Sequence, residues 1–120
     1  MQFQLRHVIF FCADMEKMTR FYTEVMGLRA VAQPPYDPKD WVRLEGGVFT
    51  LCLHKSGKPG SASGNKNKLV FEVDDVGTAR EYLLAHKVKM GVHHHWGEME
   101  ASDGHDPEGN KFQIAGPARD

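Results

Sequence analysis

The chain repeats its apolar pattern at an offset of 61 residues, and this repeat constrains the fold more than any other feature. Adding 61 carries Phe10 to Phe71, Asp14 to Asp75, Phe21 to Tyr82, Leu51 to Phe112 and Leu53 to Ile114. Self-similarity at one period signals two copies of a supersecondary unit. The polar positions do not follow: the same offset sets His7 against Lys68 and Cys52 against Gln113. The two copies therefore share a scaffold and differ where chemistry would be done.

Each copy reads as a strand, a helix and then two or three antiparallel strands. Arg6 to Cys12 is an apolar run of strand-favouring residues. Asp14 reads as a helix N-cap, and Met15, Met18, Phe21, Tyr22 and Val25 recur at helical spacing up to Gly27, a stop signal. That stripe is core packing. The segment Gln33 to Asp37 and its neighbour Pro38 hold three prolines, which remove ladder donors and predict an exposed loop. Trp41 to Leu44 and Val48 to His54 form a hairpin turning at Gly46-Gly47. In the second copy Lys68 to Val73 is the strand, and Asp74 or Asp75 caps a helix whose inner face is Val76, Ala79, Tyr82, Leu83 and His86. Asp106-Pro107-Glu108-Gly109 is a turn, and Asn110 to Ile114 is the closing strand.

The 120 residues make one domain, with modules at about 1–54 and 68–116. Residues 55–67 carry no large apolar side chain and predict a mobile connector. A net charge of −1, from 15 basic and 16 acidic residues, excludes the basic surplus that nucleic acid usually requires. No apolar run is long enough to span a bilayer, and the first residues lack a signal-peptide plan. Two cysteines, Cys12 and Cys52, fit a reducing cytoplasm. A cytoplasmic, small-molecule-scale protein is expected.

Side chains alternate along a strand, so one assignment fixes the rest. With Val8, Phe10, Leu51 and Leu53 under the helix, the opposite face of the first module carries His7, Cys52 and His54. The second module puts Lys68, Glu72 and Gln113 on the corresponding face. If both sheets curve together, these residues line one concavity, a common small-molecule site. Trp41 and Trp96 are candidates for its apolar wall. His93-His94-His95 reads as a polar segment leading into Trp96-Gly97, although in a strand His93 and His95 would share a face ~6.5–7 Å apart and could capture a metal.

His7-Val8-Ile9, Asp14 to Met18 and Phe21 to Leu28 resemble the opening of the vicinal oxygen chelate superfamily, which includes glyoxalase I, extradiol dioxygenases, methylmalonyl-CoA epimerase and the bleomycin- and fosfomycin-resistance proteins. Phe71 to Asp75 and Asp106 to Asn110 resemble its second-half signatures. The resemblance implies an α+β, glyoxalase-like fold. Two βαβββ modules in a pseudo-two-fold arrangement would form a cup-shaped mixed sheet, usually in a homodimer. His7 and Lys68, and likewise Cys52 and Gln113, would then be related by the axis and border one cavity.

The family's metal ligands, carried onto this sequence, fall at His7, Cys52, Lys68 and Gln113. Of these only His7, Cys52 and Gln113 offer a ligand atom, since a protonated lysine has no lone pair and its charge repels a divalent ion. Glutamine brings only a neutral carbonyl oxygen, and one thiolate with one imidazole is short of a site. No cofactor and no metal at the usual site are expected. The function that follows is binding of a small, anionic or strongly electronegative metabolite or drug, with Lys68 as its charge partner, because Glu72 lies ~13 Å along the strand. The alternative is a metal-dependent lyase, isomerase or dioxygenase using His7 with non-standard ligands such as His54 or Glu72. Catalytic residues and substrate are not legible.

Overall fold

A computed structural model of the chain describes residues 1–2, 4–57, 65 and 67–119. The chain divides into two compact units, Met1–Ser61 and Ala62–Asp120, each a βαβββ module. Most of the predicted connector, 55–67, lies outside the described residues. Lys55 belongs to the last strand of the first unit instead, and the Ser56 N–H donates to the Cys12 carbonyl at 2.8 Å.

The first unit runs β1 (His7–Cys12), α1 (Met15–Arg20), β2 (Arg29–Val31), β3 (Trp41–Gly46) and β4 (Phe49–Lys55). Its sheet has the order β1-β4-β3-β2, with β1 parallel to β4 and the other pairs antiparallel. The Asp14 carboxylate caps α1 by accepting the Lys17 N–H at 3.0 Å. After Arg20 the helix widens into a π-turn over Phe21–Val25, closed by a bond from the Met26 N–H to the Phe21 carbonyl. Within it, the Thr23 hydroxyl donates to the Thr19 carbonyl at 2.8 Å, competing for an acceptor the helix ladder would use. The predicted stripe packs inward: Met15, Met18, Phe21 and Tyr22 are buried with Phe10, Leu44, Leu51 and Leu53. Each fully buried leucine contributes ~1.5–3 kcal/mol by leaving water. Ile9 and Phe11, on the alternate positions, are exposed. The hairpin turns at Gly47-Val48, one residue later than expected, with Gly47 at φ +70°.

The second unit repeats the plan as β5 (Leu69–Glu72), α2 (Val76–Ala85), β6 (Lys89–Trp96), β7 (Met99–His105) and β8 (Lys111–Pro117), in sheet order β5-β8-β7-β6. Asp75, not Asp74, caps α2 through the Thr78 N–H at 3.1 Å. Val76 and Leu83 are buried beneath it with Phe112 and Ile114. Tyr82 and His86, expected on the inner face, are exposed, with their rings in a tilted contact at 4.2 Å. The turn before β8 is built on Asp106, whose carboxylate accepts the N–H groups of Glu108 and Asn110, each at 2.9 Å. A bulge sits between Met90 and His93, where the register shifts.

The hairpin registers correct the simple repeat. Arg43 pairs with Cys52, and Asp103 pairs with Gln113. Arg43 and Asp103 therefore hold equivalent stations 60 residues apart, because the chain between the paired residues is one residue longer in the β7–β8 hairpin than in the β3–β4 one.

Candidate functional site

In the first unit the sheet face turned away from α1 gathers half of the predicted residues, His7, Trp41, Cys52 and His54. His7 pairs with Thr50 at the β1–β4 register, which sets Cys52 diagonally beside it. Arg43 lies opposite Cys52, and Trp41 lies opposite His54. These strands bound a cavity of about 380 Å³ lined by Arg6, His7, Gln33, Trp41, Arg43 and Thr50, with Cys52 at its base. That volume is in the range of small-molecule sites. Two larger cavities, about 520 and 450 Å³, lie between the α1 side and residues 30–42 and include neither His7 nor Cys52.

The cavity wall is aromatic and held in place. The Trp41 indole N–H donates to the Gln33 side-chain carbonyl at 2.9 Å, and the ring meets His7 and His54 edge-on at 6.3 and 5.7 Å. Tyr36, from the proline loop, adds a tilted contact to Trp41 at 6.0 Å. His54 thus supports the wall from outside the cavity lining, and its Nδ1 sits 3.0 Å from the Lys55 carbonyl.

The electrostatics of this face come from arginine. Arg43 donates through Nη2 to Glu45 at 2.9 Å, while its Nε is buried and meets no hydrogen-bond partner among the described residues. An unmatched buried donor costs free energy that a suitable acceptor would recover. Glu45 is held from its other side by Arg29 at 2.8 Å. Burial pushes the Cys52 thiol above its ordinary pKa, with the Arg43 charge opposing. At neutral pH the thiol keeps its proton and is a weak metal ligand.

In the second unit the expected unpartnered lysine has a partner. Lys68 Nζ lies 3.2 and 3.4 Å from the two Asp103 carboxylate oxygens, and the Gln113 amide donates to Asp103 at 3.1 Å. Sequence reasoning missed Asp103, because only the hairpin register puts it beside Gln113. Glu72 is exposed at the end of β5. Trp96 is exposed at the end of β6, stacked on His94 at 5.1 Å. Of the positions that the resemblance gives to metal ligands, Lys68 is ion-paired with Asp103 and offers no lone pair while protonated.

The chain was compared with known proteins. Three solved structures share its fold over nearly their full length. The fosfomycin resistance protein FosX from Mesorhizobium loti aligns with TM-score 0.73 and 20% identity, covering 98% of this chain and 95% of that one. Lactoylglutathione lyase from Agrobacterium tumefaciens gives 0.73 and 20%, covering 94% and 92%. The antibiotic-binding protein TnmS3 from a Streptomyces species gives 0.76 and 23%, covering 98% and 99%. No curated protein matches the chain by sequence at a significant level. The profile of one family matches residues 4–114, so the chain belongs to the Glyoxalase/Bleomycin resistance protein/Dioxygenase superfamily.

Proposed function

We propose that this protein binds a small anionic or strongly electronegative metabolite or drug against the open face of its first unit, without a metal at the family's ligand positions. The observation that carries this reading is Arg43, which lines the cavity beside Trp41 and whose buried Nε has no hydrogen-bond partner among the described residues. An acceptor on the ligand would pair with Arg43, while His7, Gln33 and Thr50 offer further hydrogen bonds and Trp41 an apolar surface. Arg43 replaces Lys68 as the charge partner: both are ion-paired, Lys68 with Asp103 and Arg43 with Glu45, but Arg43 lines the cavity and keeps an Nε donor with no partner among the described residues. The fold is shared with an antibiotic-binding protein, which agrees with a binding role.

Trp41 supplies the readout. In a Trp96→Phe background its emission reports this face alone, and it should change when a matching carboxylate or phosphonate is found in a metabolite and antibiotic screen. Arg43→Met should weaken that ligand by ~1.5–3 kcal/mol, the usual worth of a hydrogen bond to a charged group, since the Arg43 side chain is partly exposed. Undiminished affinity in Arg43→Met, or a consistent preference for cationic ligands, refutes the proposal. The alternative, a metal-dependent lyase, isomerase or dioxygenase built on His7, requires about one divalent ion per chain that is lost on His7→Ala.

A further inference from the structure

The histidine triplet is assembled with a buried carboxylate by the bulge in β6. Met90 pairs with Gly104 and His93 with Ser102, so Gly91 and Val92 together oppose the single residue Asp103. In a regular strand residues three apart face opposite ways, so His93 would face away from Met90. With the bulge, His93 and His95 turn to the helix side of the sheet, where Glu100 also points, since His95 pairs directly with Glu100. The bulge is pinned by Arg80, which donates to the Gly91 carbonyl at 2.8 and 3.0 Å, and by the Ser102 hydroxyl at 3.2 Å.

The two imidazoles stack at 4.8 Å with an interplanar angle of 11°. Glu100 is 3% exposed, and its Oε1 lies 2.5 Å from His93 Nε2 and 3.9 Å from His95 Nδ1. Its other oxygen accepts the Arg119 backbone N–H, while the Arg119 guanidinium turns off to the Asp74 carbonyl at 2.9 and 3.2 Å.

We infer that His93, His95 and Glu100 form a binding site for a borderline divalent transition ion of the zinc class. The three ligand atoms lie within 4.8 Å of one another. Ligands on a tetrahedral zinc at ~2.0–2.1 Å are roughly 3.3 Å apart, so shifts of about 1 Å close the set. His93 would exchange its hydrogen bond to Glu100 for the ion, and the Arg119 N–H would keep the carboxylate oriented as an outer-shell partner. His95, with its side chain 63% exposed, leaves an entry path and a fourth position for water. Two imidazole nitrogens favour zinc, nickel, cobalt or copper over the hard, oxygen-seeking magnesium and calcium. This site shares no residue with the cavity on the first unit, nor with the family's ligand positions.

The test is titration of the tag-free, chelator-treated full chain with Zn²⁺ by calorimetry, and with Co²⁺ by visible absorption. The expected result is one ion per chain, intense d–d bands of low-symmetry cobalt, and no heat from Mg²⁺ or Ca²⁺. His93→Ala and His95→Ala should each weaken Zn²⁺ by about 10-fold or more. His95→Ala removes an exposed side chain, so it stays interpretable if variants at the buried Glu100 fail to fold. His94→Ala, which alters only the stack on Trp96, and His7→Ala should bind as the parent does. Absence of binding, affinity in His95→Ala within about twofold of the parent, or loss of binding in His94→Ala or His7→Ala would each overturn the assignment.

Discussion

Replacing Gln113 by glutamate restores, in composition, the carboxylate common at this family position, and the structure gives a reason why it should damage the protein. The Gln113 amide donates to Asp103 at 3.1 Å, and both side chains belong to adjacent strands held in fixed register. Gln113→Glu removes that donor and sets a second negative charge against the first. Two unit charges ~4 Å apart interact by about 1 kcal/mol in water and about 4 kcal/mol at the effective dielectric near a protein surface. The Asp103 side chain is 32% exposed and Lys68 offsets part of the field, which places the repulsion near ~1–2 kcal/mol. The lost bond to a charged acceptor adds ~1–2 kcal/mol at this partial exposure. The expected destabilisation is therefore ~2–4 kcal/mol, read as a fall in urea midpoint at constant slope. Added salt should recover part of it. Asp103→Asn in the same chain supplies a donor for the new carboxylate and should restore at least half of the loss. A single variant within ~0.5 kcal/mol of the parent, or a double variant no better than the single, would refute the Asp103 network and the account of Lys68 built on it.

Further outcomes follow from geometry elsewhere. Asp14→Ala should cost ~0.5–2 kcal/mol in urea denaturation through loss of the α1 cap. Gly116→Ala should cost ~2–4 kcal/mol, since its Cβ would collide with the Val73 backbone carbonyl, whereas Gly91→Ala, meeting Asp103 O at an ordinary 3.5 Å, should cost under ~1 kcal/mol. Because burial raises the Cys52 pKa, the thiol form is favoured in the fold, and the stability this contributes is complete below the unfolded pKa and lost as pH rises through the folded one. Alkylation of Cys52 in a Cys12→Ala chain should accordingly titrate above a cysteine in a short unstructured peptide, and Arg43→Gln should move it higher; an inflection below the peptide's would contradict the burial argument.

Strand parity and helical spacing were enough to place Phe10, Leu51, Leu53, Met15, Met18 and Tyr22 in the core, because those positions sit mid-element where the period holds. Tyr82 failed because an apolar stripe carries no information on how wide a face the sheet beneath can cover, and under α2 that face takes in Val76 and Leu83 but leaves Tyr82 exposed. Among candidate site residues, alternation put His7 and Cys52 on one face, and both line one cavity with Trp41. Arg43 and Asp103 were not found, since each depends on a pairing register set by hairpin length, which local pattern does not encode. The histidine cluster needed the β6 bulge, whose only sequence signal is Gly91 within a strand-like run.

The slip from 61 to 60 residues across β3 and β7 has a practical consequence for anyone transplanting residues between the two halves. Numerical bookkeeping would match Asp103 with Val42, a buried core residue, and Gly104 with Arg43. A chimera designed on that arithmetic would drive a carboxylate into the apolar interior and strip the cavity of its arginine. Ladder partners give the opposite instruction: Arg43 and Asp103 are interchangeable stations of opposite sign, each facing its own Cys52 or Gln113 across one strand. Ancestral-type duplicates of either half should be drawn from hydrogen-bond register, with the extra β7–β8 residue treated as an insertion in the connecting loop.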